Sequence, residues 1–208
     1  METSSIISVT FRIFIVAIGT AIAGLGVYLM LIANMGMDPF STLVNGVNRY
    51  VPIRFGTLSQ IFNLIYLIIS FLLNKKSIGI ATVIYGLGCG YAINVFSDLQ
   101  LRLLLSIPPF INLIFGVLLL GIGIAIYLSA RLGAGPVEGV MVFLTDFLKK
   151  DVHYIRIGLD VFNVVIGMLL GGIWGVGTLV AAFGTGPAIT AGFKLVDLFC
   201  KTKQPEPL

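Results

Sequence analysis

Six apolar runs, each close to the length needed to cross a bilayer, dominate the chain. They cover residues 13–33, 56–73, 77–96, 110–130, 155–170 and 176–199. A spanning helix needs about 20 apolar residues, because ~30 Å of hydrocarbon is crossed at ~1.5 Å per residue. Only 11% of the residues are charged, whereas soluble domains carry roughly 25%. The sequence therefore predicts an all-α integral membrane protein with six transmembrane helices facing the lipid bilayer.

A segment of helix-breaking residues occurs twice. Residues 35–41 read Met-Gly-Met-Asp-Pro-Phe-Ser, and residues 132–138 read Leu-Gly-Ala-Gly-Pro-Val-Glu. A shift of ninety-seven positions places Gly24, Gly26, Leu31, Ala33, Gly36 and Pro39 on Gly121, Gly123, Leu128, Ala130, Gly133 and Pro136. Each copy ends an apolar run and opens a shorter, more polar segment, residues 38–51 and 136–150. We expect these two segments to form half-helices that do not cross the membrane.

The coincidences continue beyond the doubled segment. Gln60-Ile61-Phe62-Asn63 matches Asp160-Val161-Phe162-Asn163, and Gly86-Leu87-Gly88 matches Gly184-Thr185-Gly186. We interpret residues 1–208 as one membrane domain made of two repeats, residues 9–100 and 108–200. Each repeat contains three spans, an odd number, so the two copies are expected to have inverted topology.

The basic residues agree with inverted repeats, since Lys and Arg collect on cytoplasmic flanks. With both termini in the cytoplasm, ten basic residues lie on or near the cytoplasmic side: Arg12, Lys75, Lys76, Arg131, Lys149, Lys150, Arg156, Lys194, Lys201 and Lys203. Arg49, Arg54 and Arg102 fall outside. The basic residues form no stripe, so the net charge of +4 indicates topology signals and no nucleic-acid partner.

The sequence resembles a bacterial family in three stretches. They are Gly-Leu-Gly-Val-Tyr-Leu-Met-Leu-Ile-Ala-Asn-Met-Gly-Met-Asp-Pro (24–39), Gly-Ile-Ala-Ile-Tyr-Leu-Ser-Ala-Arg-Leu-Gly-Ala-Gly-Pro (123–136) and Gly-Gly-Ile-Trp-Gly-Val-Gly-Thr-Leu-Val-Ala-Ala-Phe-Gly-Thr-Gly-Pro (171–187). They are similar to the YczE/YyaS/YitT-like membrane proteins. The resemblance implies a multi-pass protein of the bacterial inner membrane and indicates no substrate. The acidic residue that this family often has two positions after its first proline is replaced by Ser41, and the second repeat keeps it as Glu138.

Polar side chains inside the spans are the candidate binding residues. Gln60 and Asn63 lie three residues apart, as do Asp160 and Asn163, so each pair shares one helix face. An ionised group at a helix centre costs ~2.5–3.5 kcal/mol on insertion scales, which favours inward-facing positions. We expect both faces to line one cavity near the bilayer midplane, as in other inverted-repeat proteins. The alternative is structural: amide side chains bond helices at ~0.6 kcal/mol each, and Asp160 pairs with Arg156.

Two further residues are expected at this cavity. Glu138 lies in the first turn of the second half-helix, where it either compensates the helix dipole or binds a cation or proton. Thr185 precedes Pro187, which predicts a kink or break that exposes polar backbone. Asp38 is interpreted as a helix cap. If Asp160 and Glu138 are both ionised, the cavity suits a cationic or proton-coupled solute. If Arg131 or Arg156 neutralises them, an amphoteric or neutral solute fits the cavity as well as a cationic one.

The chain has no catalytic motif, so no enzyme activity, metal or cofactor is expected. Its glycine-rich stretches lack the lysine of a phosphate loop, and Cys89, Cys200 and His153 lack metal-ligand spacing. We expect a small transporter or solute-binding membrane protein that works by alternating access between its repeats. Two alternatives remain open, a non-transporting scaffold or regulator and the substrate-binding subunit of a larger transporter. A homodimer or an energising partner subunit is expected if the chain transports an unidentified small molecule.

Overall fold

The computed structural model describes residues 2–73, 78–99, 104 and 106–200 of the chain. Within these ranges the chain forms eight α-helices and no β-strand. They are α1 (Glu2–Ala33), α2 (Pro39–Asn48), α3 (Phe55–Leu73), α4 (Ile80–Leu99), α5 (Pro109–Ser129), α6 (Pro136–Leu148), α7 (Val152–Leu169) and α8 (Val176–Cys200). All but α2 and α6 are long and apolar enough to cross a membrane. The predicted all-α membrane fold with six spans is confirmed.

The two half-helices are local consequences of glycine and proline. Gly36 and Gly133 adopt φ angles of 110° and 123°, which residues with a Cβ rarely adopt. Each helix then begins at a proline, Pro39 or Pro136, whose missing N–H is not needed in the first turn. With 10 and 13 residues, α2 and α6 extend only about 15–20 Å. Neither half-helix crosses the bilayer.

The centre of the molecule is the contact between α1 and α5. A Cβ placed on Gly26 would lie 2.5 Å from the backbone nitrogen of Leu120, and one on Gly123 would lie 2.5 Å from that of Ala23. These glycines therefore allow the two backbones to touch. Close backbone approach is a main source of helix association in lipid, where no hydrophobic effect drives helices together.

Several helix contacts occur in pairs, one in each half of the chain. The first and last spans of each half pack together, α1 on α4 and α5 on α8, and each half-helix packs on the middle span of the other half, α2 on α7 and α6 on α3. The backbone N–H of Gly177 donates to the carbonyl oxygen of Met35 at 2.8 Å, and the N–H of Ala81 donates to that of Leu132 at 3.0 Å. The segment that precedes each half-helix is thus hydrogen-bonded to the first turn of a spanning helix from the other half of the chain.

Two local expectations differ from the structure. Helix α1 begins at Glu2 instead of residue 13, because no glycine, proline or capping motif separates the polar start from the apolar run. Helix α8 continues through Pro187 without a break, since a proline removes one hydrogen bond and the remaining turns still form. Of the basic residues used to predict topology, Lys75, Lys76, Arg102, Lys201 and Lys203 lie outside the described residues.

Candidate functional site

A cavity of about 110 Å³ lies where both half-helices begin. Residues from every helix line it: Val27 of α1; the α2 cap Asp38 with Pro39, Phe40 and Ser41; Ser59 and Asn63 of α3; Tyr85 and Cys89 of α4; Leu120 and Ile124 of α5; Val137 and Glu138 of α6; Arg156, Asp160 and Asn163 of α7; and Ala181, Ala182 and Thr185 of α8. The lining combines apolar side chains with ionisable groups. Such a mixture is typical of a small-molecule site.

Asp38 caps α2 with one of its carboxylate oxygens and leaves the other without a partner. Its Oδ2 accepts a hydrogen bond from the backbone N–H of Ser41 at 3.1 Å. Its Oδ1 is buried, and no group in the described part of the chain donates a hydrogen bond to it. Burial raises the pKa of this carboxyl above its ordinary value, although the hydrogen bonds of Ser41 act in the opposite direction. Asp38 is therefore both a cap and a free acceptor at the cavity.

Glu138 is the second carboxyl group beside a half-helix N-terminus. It lies in the first turn of α6, three residues after the N-cap Gly135. Burial raises the pKa of Glu138 above its ordinary value, while its backbone hydrogen bond and the Arg156 guanidinium oppose the shift. The helix dipole also favours the ionised form, by ~0.3–1 kcal/mol. Glu138 thus sits where burial and local charge act in opposite directions on its proton.

Asn63 and Asn163 occupy corresponding positions on α3 and α7, and both line the cavity. They are almost fully buried, with 4% and 1% of their surfaces exposed. The hydroxyl of Tyr66 donates to Oδ1 of Asn163 at 3.0 Å and so links the two helices. Each asparagine therefore presents an amide at the cavity wall from the middle span of its own half.

Arg156 and Asp160 form the more open wall of the cavity. The Nε of Arg156 lies 3.9 Å from Oδ2 of Asp160, one helical turn away. Their side chains are 43% and 33% exposed, in contrast to the asparagines. The ion pair is therefore long, and both of its side chains are only partly buried.

Of the two remaining predicted site residues, Thr185 lines the cavity and Gln60 does not. Thr185 is buried at the cavity, and its hydroxyl donates to the carbonyl oxygen of Ala181 at 2.6 Å. Gln60 does not line the cavity; its Nε2 donates to the carbonyl oxygen of Leu87 at 2.6 Å. The structure thus brings five of the six predicted residues together, Asn63, Glu138, Asp160, Asn163 and Thr185, and holds Gln60 between α3 and α4.

The sequence did not predict several polar residues of the cavity: Asp38, Ser41, Ser59, Tyr85 and Cys89. The sequence predicts a cap at Asp38, and that hydrogen bond is present, but Asp38 also lines the cavity and its second carboxylate oxygen is buried without a partner among the described residues. Tyr85 and Cys89 lie one turn apart on α4. Their positions within the glycine-rich face of the third span are the signal that could have identified them.

Six apolar spanning helices around a small polar cavity define a polytopic α-helical membrane protein. The chain belongs to the family of unknown function DUF6198, whose model matches residues 10–194. This range includes every residue that lines the cavity.

Three bacterial proteins are similar to the chain. An uncharacterized protein of Haemophilus influenzae is 28% identical over 183 residues, which are 85% of this chain and 81% of that protein. The uncharacterized protein YyaS of Bacillus subtilis is 28% identical over 167 residues, which are 78% of this chain and 82% of the length of YyaS. The uncharacterized membrane protein YczE of Bacillus subtilis is 37% identical over 71 residues, which are 34% of this chain and 33% of the length of YczE. The YczE/YyaS-like resemblance is confirmed. No solved structure matches the chain.

Proposed function

We propose that the chain is a small-solute transporter of the bacterial inner membrane that works by alternating access, without a chemical reaction. The observation that carries the proposal is an asymmetry between its two halves. Helices α3 and α4 pack along each other, whereas the corresponding helices α7 and α8 make almost no contact. A rigid scaffold built from two similar repeats would close both contacts alike.

The α3–α4 contact is closed by small residues and polar bonds. Gly56 and Gly90 bring the two backbones together, since neither leaves room for a Cβ. Nδ2 of Asn94 donates to Oγ1 of Thr57 at 2.9 Å. At the end of the contact, Nη2 of Arg54 lies 2.7 Å from Oδ1 of Asp98 and 2.8 Å from the carbonyl oxygen of Asn94. These bonds close the cavity on the α3–α4 side.

The α7–α8 side has none of these features among the described residues. A Cβ on Gly158 of α7 or on Gly186 of α8 would have no neighbour within 4 Å. The cavity residues nearest this side, Arg156, Asp160 and Ala182, are also the more exposed ones. The sparse contact between α7 and α8 supports an entrance to the cavity on this side.

The orientation follows from the basic residues. Arg156 and the opening lie at the end of α7 that follows Lys149 and Lys150. If both termini are cytoplasmic, as the positive-inside rule favours, the protein is open to the cytoplasm and closed outside by Arg54 and Asp98. Exchange of the two gates would then expose the same cavity to the other side. Such an exchange is the rocking motion of inverted-repeat transporters.

Labelling of a cavity cysteine from each side tests this proposal. Ser59 lines the cavity and is buried, and Ser59→Cys changes one atom. In a chain with Cys89→Ala and Cys200→Ala, a membrane-impermeant thiol reagent is applied to right-side-out and inside-out vesicles. Alternating access predicts labelling from both sides, because each gate opens in part of the population. Labelling from only one side, or none, would contradict it.

Two exposed positions provide the matched controls and test the topology. Asp151→Cys, in the α6–α7 connection, is expected to react only from the cytoplasmic side. Tyr50→Cys, which follows α2 and is exposed, is expected to react only from outside. The reverse pattern would invert the orientation without affecting the gate argument.

The same vesicles separate the competing functions. A scaffold or regulator predicts no labelling of Ser59→Cys from the α3–α4 side under any condition. A substrate-binding subunit predicts two-sided labelling only after an energising partner is added. A homodimer predicts that the purified chain runs at twice its 22.3 kDa mass after correction for detergent.

A further inference from the structure

We propose that Asp38 and Glu138 bind one small monovalent organic cation in exchange for one proton. The inference rests on the proposed transport function and names the solute class that the cavity accepts. The cation would enter through the α7–α8 opening, and the proton would leave a carboxyl group for water. Charge in the cavity is unchanged by this exchange.

The balance of charge is the first argument. Among the described residues that line the cavity, three carry carboxylates, Asp38, Glu138 and Asp160, and one, Arg156, carries a guanidinium. The N-termini of α2 and α6 each add roughly +0.5 charge. About one negative charge then remains uncompensated when every group is ionised, and a buried, unpaired charge is costly. One proton or one monovalent cation neutralises it.

Geometry identifies the carboxylates that carry this charge. Asp160 already has Arg156 at 3.9 Å. Asp38 lines the cavity, and its Oδ1 is buried without a hydrogen-bond partner among the described residues. Asp38 and Glu138 both lie within electrostatic range of Asp160, so the three carboxyl groups share one field. An N–H donor entering the cavity would complete the coordination of Asp38.

The other titratable groups near the pair determine its response to pH. They are Tyr85 and Cys89 from α4, Tyr66 from α3, Tyr127 from α5, and Arg156 and Asp160 from α7. Tyrosine and cysteine are ordinarily neutral below about pH 8, so they contribute dipoles and not charge. Arg156 favours the ionised form of Glu138, and repulsion between Asp160 and the two other carboxylates favours the uptake of a proton or a cation.

The size and lining of the cavity favour an organic cation over a metal ion. A volume of about 110 Å³ is several times the ~10–15 Å³ that one water molecule requires, so the cavity has room for a small organic cation. Val27, Leu120 and Ile124 present apolar surface, which suits hydrocarbon and not a bare ion. The rings of Phe40 and Tyr85 add faces that attract organic cations.

Guanidinium and urea are matched probes for this inference, because they share size and shape but only guanidinium is charged. Purified protein in detergent and weak buffer is titrated with millimolar amounts of each, and a pH indicator reports proton release. We expect guanidinium to bind with release of about one proton per chain within the range where the pair titrates. We expect urea to release none. Equal binding of urea, or guanidinium binding without proton release, would overturn the inference.

The variants assign the release to the pair. Asp38→Asn with Glu138→Gln is expected to abolish proton release and weaken guanidinium binding at least tenfold. Glu138→Gln alone keeps the Asp38 cap, so it provides the same test if the double variant fails to fold. Asp146→Asn, exposed on the same half-helix, is the control and is expected to behave like the unmodified chain. Unchanged proton release in the folded Glu138→Gln variant would exclude Glu138.

Failure of this inference is distinguishable from failure of transport. Two-sided labelling of Ser59→Cys without guanidinium-linked proton release leaves alternating access intact and rejects the cation. Proton release with one-sided labelling retains the cation site and rejects transport.

Discussion

Gln60 of α3 and Asp160 of α7 occupy corresponding positions in the two predicted repeats but have different surroundings. Nε2 of Gln60 bonds to the carbonyl oxygen of Leu87 on α4 at 2.6 Å. Asp160 faces the cavity beside Arg156 and has no such bond to α8 among the described residues. Leu87 corresponds to Thr185, so the same helix pair is closed in one half and open in the other.

Breaking the polar bond at the end of α3 should weaken the closed gate. Arg54→Ala removes the ion pair with Asp98, whose side chains are 51% and 68% exposed, so we expect a loss of only about 0.2–1 kcal/mol. Ser59→Cys should then be labelled from the α3–α4 side about 1.4- to 5-fold faster. High salt should reduce the difference. Arg12→Ala, on α1 and far from this gate, is the control. If Arg12→Ala accelerated the labelling of Ser59→Cys as much as Arg54→Ala does, the Arg54–Asp98 pair would not be part of the gate.

Close packing of α1 on α5 should make Gly123 intolerant of a methyl group. A Cβ there would lie 2.5 Å from the backbone nitrogen of Ala23, so Gly123→Ala forces the backbones apart at a cost of about 1–3 kcal/mol. Gly158→Ala is the matched control, because its Cβ meets nothing within 4 Å and alanine favours helix by up to ~1 kcal/mol. Thermal unfolding in detergent measures both. Equal stability of the two variants would show that α1 and α5 do not touch as described.

Burial of Asp38 and Glu138 should make stability depend on pH. The pKa of each is raised by burial, so the folded state holds their protons more tightly than the unfolded state does. The resulting stability is complete below the ordinary carboxyl range near pH 4 and is lost as pH rises through the folded values. The unfolding temperature should therefore fall with rising pH, and less steeply in Asp38→Asn with Glu138→Gln. An unchanged slope in that variant would assign the dependence to other groups.

The cap and the cavity role of Asp38 should separate by substitution. Asp38→Ala removes the bond to the N–H of Ser41 and should destabilise the protein by about 0.5–2 kcal/mol, whereas Asp38→Asn retains a good cap. Both variants lose the carboxylate. Thermal unfolding should therefore distinguish them while guanidinium-linked proton release is weakened in both. Equal stability of the two would show that the cap contributes little.

Much of the fold could be predicted from the sequence, because the signals that begin and end each helix lie within a few residues of one another. Apolar runs of spanning length define helices, and a glycine followed by a proline ends one helix and begins the next. Corresponding polar residues, such as Asn63 and Asn163, were placed on one cavity because polar groups avoid lipid. The half-helices at Pro39 and Pro136 followed from the same chemistry.

The unpredicted features depend on conformation and on burial. Nothing in the composition of α3 and α7 indicates that α3 packs on α4 whereas α7 is separated from α8. The position of Gln60 between α3 and α4 could therefore not be predicted. The free oxygen of Asp38 depends on how deeply α2 is buried, which a capping motif does not encode. Pro187 remained within α8, because one lost hydrogen bond does not decide the course of a long helix.

Paired distance measurements test alternating access most directly. Spin labels at Tyr154 and Leu198 report the α7–α8 opening, and labels at Pro52 and Leu99 report the α3–α4 gate; all four positions are exposed. Pulsed electron resonance in liposomes, with guanidinium and pH as variables, should yield two populations for each pair. We predict that conditions which shorten the α7–α8 distance lengthen the α3–α4 distance. A single fixed distance for both pairs, or movement of one gate without the other, would contradict alternating access.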